Sequence, residues 1–120
     1  MNEQPTTQPV DPAELPETIT RYLDAHRVHD TPTAISTFTS DAVVIDDGNT
    51  YTGTAAIEKW LTRSATEYTY TTEFTAAHRT EASHYVVTNH LEGDFPGGKV
   101  DLRYQFTLRG GLIENLTIEP

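Results

Sequence analysis

Asp46 closes the run Ala42-Val43-Val44-Ile45-Asp46. In a strand it shares a face with Val44 and Ala42, so its carboxylate points inward among apolar groups. There, loss of hydration makes a carboxylate a poised base. The same residue opens the turn Asp46-Asp47-Gly48, where a carboxylate caps backbone amides; at the level of sequence both readings stand. Tyr22 lies on an apolar helical stripe with Leu15, Ile19 and Leu23. Its hydroxyl is either a donor to developing negative charge or that of an ordinary core tyrosine. One turn on, His26 is a second acid/base group or a hydrogen-bonded packing residue. Trp60 is a wall on which a flat ligand would stack, or packing between helix and sheet. In the row Tyr85, Val87, Asn89, Leu91 the amide of Asn89 interrupts apolar side chains and needs partners if buried. Tyr104 on the following strand is a candidate partner, which makes Asn89 a ligand-orienting group or a member of a structural network.

Other chemistries are excluded or disfavoured. The 120 residues contain no cysteine, which removes disulfides, thiolate catalysis and cysteine metal sites. No histidines have the tight spacing of a helical metal site, so neither a metal nor another cofactor is expected. Gly93–Gly98 contains Asp94 and has no helix behind it, unlike a phosphate loop. A Gly-x-Ser-x-Gly nucleophile turn does not occur. The formal net charge of −10 repels nucleic acid and anionic lipid. No apolar run reaches membrane-spanning length and no leader pattern opens the sequence, so a cytoplasmic protein is expected. Lysine occurs only as Lys59 and Lys99 while threonine abounds. That bias has a second source in genome composition or a saline habitat.

The elements that must position these residues follow from periodicity. Residues 1–12, polar and rich in proline, read as a flexible N-terminal arm before a domain of residues 13–120. Apolar residues at Leu15, Ile19, Tyr22, Leu23 and His26 give a helix ending near His29–Asp30. Thr31-Pro32 restarts a short helix with Thr31 as its cap and Ile35 and Phe38 on its buried face. Ala42–Asp46 is a strand, Thr50–Thr52 a returning strand, and Gly53-Thr54 opens a third helix that buries Ile57, Trp60 and Leu61. The period then drops to that of strands: Tyr68–Arg79, Ala82–Glu92, Val100–Arg109 and Leu112–Ile118, with Gly110-Gly111 as a hairpin turn. His84, Thr88 and His90 fall on an outer sheet face. His78 shares a face with Phe74. The result is an α+β architecture, with helices on one face of a curved antiparallel sheet.

Three segments carry a family resemblance. They are Arg21-Tyr22-Leu23-Asp24-Ala25-His26, the run from Phe38 through Asp46-Asp47-Gly48, and Tyr51-Thr52-Gly53-Thr54-Ala55-Ala56-Ile57 followed by Trp60. Together they resemble the SnoaL-like group of the nuclear transport factor 2-like superfamily, similar to polyketide cyclases and ketosteroid isomerases. The resemblance covers residues 13–120 and implies a cone-shaped fold, a curved sheet wrapped around N-terminal helices, with a pocket at one end. It also implies a homodimer through the outer sheet face. Ketosteroid isomerases use a tyrosine of the first helix as oxyanion donor, an aspartate ending the first strand as base, and a protonated aspartate on a late strand. Tyr22 and Asp46 take the first two places. The third aligns with Tyr104, a departure that removes the second acid and puts steroid isomerisation in doubt.

The expected catalytic set is therefore Asp46, Tyr22 and Tyr104, with His26, Trp60, Asn89 and Phe106 contacting substrate. The expected chemistry is cofactor-independent proton abstraction beside a carbonyl, as in an isomerase or cyclase, on a small apolar carbonyl ligand. The alternative is a non-catalytic dimeric module that binds a small molecule or a partner. A third arrangement has Trp60, Tyr70, Tyr104 and Phe106 filling the cone.

Overall fold

Helix α1 (Glu17–Arg27) buries Ile19, Tyr22 and Ala25, the stripe that the spacing predicts. The structure is a computed structural model that describes residues 8–67, 69–81 and 83–120. The helix stops because His29 turns left-handed, with φ at 61°. That lets the His29 and Asp30 amides donate to the carbonyls of His26 and Ala25 at 3.1 and 2.8 Å. Helix α2 (Thr31–Ile35) begins at once. Its cap is Asp30, whose carboxylate accepts the Thr33 amide at 3.3 Å, one residue earlier than the Thr31 cap that the sequence suggests. Helix α3 (Thr54–Glu67) buries Ile57, Trp60 and Leu61.

The strands are β1 (Gln8–Pro9), β2 (Phe38–Asp46), β3 (Asn49–Thr52), β4 (Tyr70–Glu81), β5 (His84–Gly93), β6 (Lys99–Arg109) and β7 (Leu112–Glu119). They form one sheet in the order β1-β4-β5-β6-β7-β2-β3. Strands β4 to β7 make the expected antiparallel meander. Glycines 110 and 111, both at positive φ, turn the last hairpin. The β2–β3 turn is Asp47-Gly48, again with both residues left-handed, while Asn49 already pairs with Asp46.

Four expectations need correction. The sheet is mixed: β2 runs parallel to β7, with Val44 beside Leu116 and Asp46 beside Ile118. Alternation reports which face a residue occupies and says nothing of a strand's neighbour. Residues 8–12 are not a free arm, because Gln8 and Pro9 pair with Arg79 and His78, and Val10 donates to the Ala77 carbonyl at 2.9 Å. The rest of that arm, with Tyr68 and Ala82, lies outside the described residues. Phe38 belongs to β2, not to the buried face of α2, which rests on Ala34 and Ile35. Finally, a bulge at Thr75 shifts the β4–β5 register, so Phe74 opposes Asn89 while His78 opposes Val86. Phe74 and His78 therefore face opposite sides of the sheet.

The core lies between the helices and the inner sheet face. Tyr22 packs edge-on against Phe38 and Phe106, with ring centroids 5.5 and 5.8 Å apart. Ile113 and Leu116 of β7 are fully buried beneath them. Truncating Leu116→Ala removes buried apolar surface and leaves a cavity beside β2. The expected loss is about 2–5 kcal/mol, read from denaturant unfolding.

Candidate functional site

Asp46 ends β2, and α3 lays Trp60 across it. The indole Nε1–H donates to Asp46 Oδ2 at 3.0 Å. The Trp60 ring also stacks against His26 of α1, centroids 6.4 Å apart at 23°. His26 in turn stacks on Tyr22 at 5.8 Å and 28°. On its other side Trp60 meets Tyr51, whose ring carries the Arg63 guanidinium 5.6 Å from its centroid. A ladder of rings thus runs from the core at Tyr22 to the surface at Arg63, and the carboxylate hangs from one rung.

The sheet supplies the opposite wall. Tyr104 of β6 is 4% exposed, and the side chain of Asn89 on β5 partly offsets the rise that burial gives its phenol. Tyr70 begins β4 opposite Gly93 and meets Phe95 edge-on at 6.4 Å. Gly93 is a glycine for a steric reason. A Cβ there would overlap the Thr69 carbonyl oxygen and the Cα and Cβ of Tyr70. The approach is pinned by Asp94, whose amide donates to the Thr69 carbonyl at 3.0 Å and whose carboxylate accepts the Thr69 amide at 2.9 Å.

Between these walls lies a cavity of about 550 Å³, bordered by His26, Asp46, Trp60, Tyr70 and Tyr104. Leu91, Val100, Leu102 and Ile118 give it an apolar lining, and Asp47, Lys99 and Glu119 also border it. A second hollow of about 240 Å³ lies on the far side of His26 and Tyr104 and is bordered by Leu15, Leu23, Phe74 and Asn89.

The electrostatics follow from burial. Desolvation first, then the nearby His29, lowers the His26 imidazole to about 4, so it is neutral at physiological pH. Burial raises the phenols of Tyr22 and Tyr104, and the Tyr70 and Asp46 charges push the same way. Tyr70 is raised by burial and by Asp46. The site therefore presents protonated phenols and a neutral imidazole beside Asp46. Among the described residues, no group of three or more His, Asp or Glu side chains is placed to hold a metal ion.

Of the expected site residues, Asp46, Tyr104, His26 and Trp60 meet at the larger cavity. Asn89 borders the smaller hollow and reaches the larger one through Tyr104. Two expectations change. Tyr22 is 0% exposed and borders neither cavity; its hydroxyl has no hydrogen-bond partner among the described residues, and it stands behind His26. Phe106, also 0% exposed, is core: it shares the inner face of β6 with Tyr104 but lies two residues deeper, against Tyr22. The larger cavity is also not filled by the four aromatic residues proposed for that role, since Trp60, Tyr70 and Tyr104 are its walls. Sequence reading gave Tyr70 only that filling role. The signal for its position was Gly93, a glycine at the end of β5 that marks close backbone approach.

No family model matches the sequence, and no curated protein matches it. Solved structures do. A candidate polyketide cyclase from Sinorhizobium meliloti is 32% identical and superposes with a TM-score of 0.84 over 92% of this chain and 100% of its own. A Catenulispora acidiphila protein with a ketosteroid isomerase-like fold, in complex with trimethylamine, is 21% identical (TM-score 0.76, 88% of this chain, 85% of that one). A Mycobacterium tuberculosis protein in complex with estradiol-17beta-hemisuccinate is 15% identical (TM-score 0.72, 87% and 91%). Mixed α+β layers around an end-opening cavity define the class. Within it, the chain belongs to the SnoaL-like, nuclear transport factor 2-like superfamily, alongside the polyketide cyclase-like relative.

Two outcomes follow from this geometry. His26 protonates at 6.5 in its ordinary state but only at about 4 in the fold, so the unfolded chain binds more protons between those values. Stability is complete above pH 6.5 and falls as pH drops toward 4, by up to about 3 kcal/mol, a slope that His26→Phe removes in denaturant titrations. His90 works in the opposite sense. Its hydrogen bonds to Asp101 and Glu92 raise it, so its contribution is present below 6.5 and fades as pH rises through the raised value. Separately, Gly93→Ala forces β4 away from β5 and is expected to cost on the order of 1–3 kcal/mol in the same assay.

Proposed function

We propose that the larger cavity binds a small, flat carbonyl compound and that Asp46 removes a proton from the carbon beside the carbonyl. The observation that carries this reading is the position of Asp46: a carboxylate on the cavity wall among Leu91, Val100, Leu102 and Ile118, hydrogen-bonded by the Trp60 indole, with Tyr104 on the same cavity. Tyr104 donates to the carbonyl oxygen as negative charge develops there. Asn89 acts on the same phenol, favouring the charge that builds on its oxygen as it donates. The proton taken by Asp46 returns to a second carbon in an isomerisation; in a cyclisation the enolate carbon attacks a second carbonyl of the same molecule and the Asp46 proton passes to the alkoxide so formed. Neither outcome requires a cofactor. His26 supplies a neutral hydrogen-bonding edge, and Tyr22 positions it by stacking. The polyketide cyclase-like relative supports this class of reaction, and the neighbour holding an estradiol ester supports a flat ligand.

The second reading is a dimeric binding module that uses the same cavity without turnover. It is favoured by Tyr104 standing where an isomerase has a second acid. The half-buried outer-face residues His84, Val86 and Thr88 of β5 would meet the other copy.

Deuterium exchange distinguishes the two. Flat cyclic ketones are incubated with the protein in D₂O, and exchange beside the carbonyl is followed by NMR. Proton transfer predicts exchange that Asp46→Asn slows about 10²- to 10⁴-fold, the range of a positioned general base. Asparagine keeps an acceptor for the indole, so the fold is retained. Equal exchange in both proteins overturns the role of Asp46, and bound ketones that do not exchange establish the binding module.

A further inference from the structure

The smaller hollow, of about 240 Å³, lies between α1 and the inner face of β4 and β5, and the chemistry proposed above does not use it. A cavity of roughly 150 Å³ already accepts a benzene ring, so one ring with a small head group fits. Leu15 and Leu23 border it on the helical side, and Thr72, Phe74 and Asn89 on the sheet side. Two features set it apart from ordinary packing. Phe74 opposes Asn89 on the inner face, yet it is 37% exposed, although Ala77 and Val87 on that face are buried. An apolar ring is thus left uncovered at the hollow. Asn89 is only 5% exposed, and its side chain acts on the Tyr104 phenol. Beyond that phenol it has no side-chain hydrogen-bond partner among the described residues. A carboxamide has two N–H donors and an acceptor oxygen, so most of its capacity is left for an occupant. The charged groups of the wall, Asp24 and Arg27, are exposed and stand 3.5 Å apart, and burial keeps His26 neutral. An ion drawn inside would lose its hydration without a buried opposite charge.

We infer that this hollow is a second binding site, for a small uncharged molecule: a single apolar ring carrying a hydroxyl or carboxamide that pairs with Asn89. The ring would lie against Leu15, Leu23 and Phe74. The site stands whether or not the larger cavity turns over a substrate. His26 and Tyr104 border both cavities, so an occupant here touches the phenol proposed as donor in the other.

Benzyl alcohol, toluene and benzoate share a ring and differ in the head group. Each is titrated into ¹⁵N-labelled protein with resonances assigned by triple-resonance NMR. The Asn89 side-chain amide and the backbone amides of Leu23 and Phe74 report the smaller hollow. The indole N–H of Trp60, the single tryptophan, reports the larger cavity. Benzyl alcohol is expected to shift the Asn89 side-chain amide and to bind the hollow about fivefold more tightly than toluene, the gain from one hydrogen bond to a buried amide. Benzoate is expected to bind weakest. Asn89→Leu is expected to equalise benzyl alcohol and toluene, and Thr72→Phe, which fills the hollow, to abolish the binding of both there. The comparison of probes is made on the wild-type protein, so it holds even if a variant fails to fold. If benzyl alcohol moves only the Trp60 signal, or moves none of the reporters, the second site is overturned. If toluene or benzoate binds the hollow as tightly as benzyl alcohol, the assignment of an uncharged hydrogen-bonding head is overturned.

Discussion

The hydrogen bond from the Trp60 indole to Asp46 ties three elements that the backbone does not join. It fixes the end of β2 to the middle of α3, and the same ring presses on His26 of α1. A half-buried carboxylate needs a donor. A buried indole N–H needs an acceptor. Each satisfies the other at the mouth of the cone, so the ring can be 2% exposed and still form a cavity wall. The stack His26–Tyr22 then carries the position of the wall back into the core at Phe38 and Phe106.

The sheet contributes a complementary constraint. Tyr70 and Tyr104 of the sheet border the cavity with Asp46, and burial keeps both phenols protonated, as it keeps His26 of α1 neutral. The half-buried Asp46 carboxylate interacts with whatever enters more strongly than it would in open water. Tyr104 is buried, and Asn89 acts on its phenol from the neighbouring strand. Gly93 lets β4 approach closely enough for Tyr70 to complete the enclosure. The donors and the acceptor come from different secondary elements, so their spacing depends on packing across the whole cone.

Much of this was legible in the sequence because it depends on local period. The helical stripe through Tyr22, the alternation of β6, and the Gly110-Gly111 turn all follow from side-chain spacing and backbone freedom. Asp46 and Trp60 were legible as residue types in telling places. Depth along a strand was not. Tyr104 and Phe106 have the same parity, and only the position of α1 beneath the sheet makes one a cavity wall and the other core. The bulge at Thr75, which puts Phe74 and His78 on opposite faces, leaves no mark in a threonine-rich run. The parallel pairing of β2 with β7 and the capture of Gln8–Pro9 by β4 are long-range partnerships that no local pattern encodes.

The central claim is that the Trp60 indole is held by Asp46 at the cavity. With one tryptophan in the chain, the indole N–H gives a single resonance in a ¹⁵N-labelled sample. Its chemical shift and hydrogen exchange should be compared between the wild-type protein and Asp46→Ala. The account predicts a downfield-shifted, exchange-protected signal in the wild type that loses both properties in the variant. A wild-type indole that exchanges freely at the shift of a solvated tryptophan would contradict it.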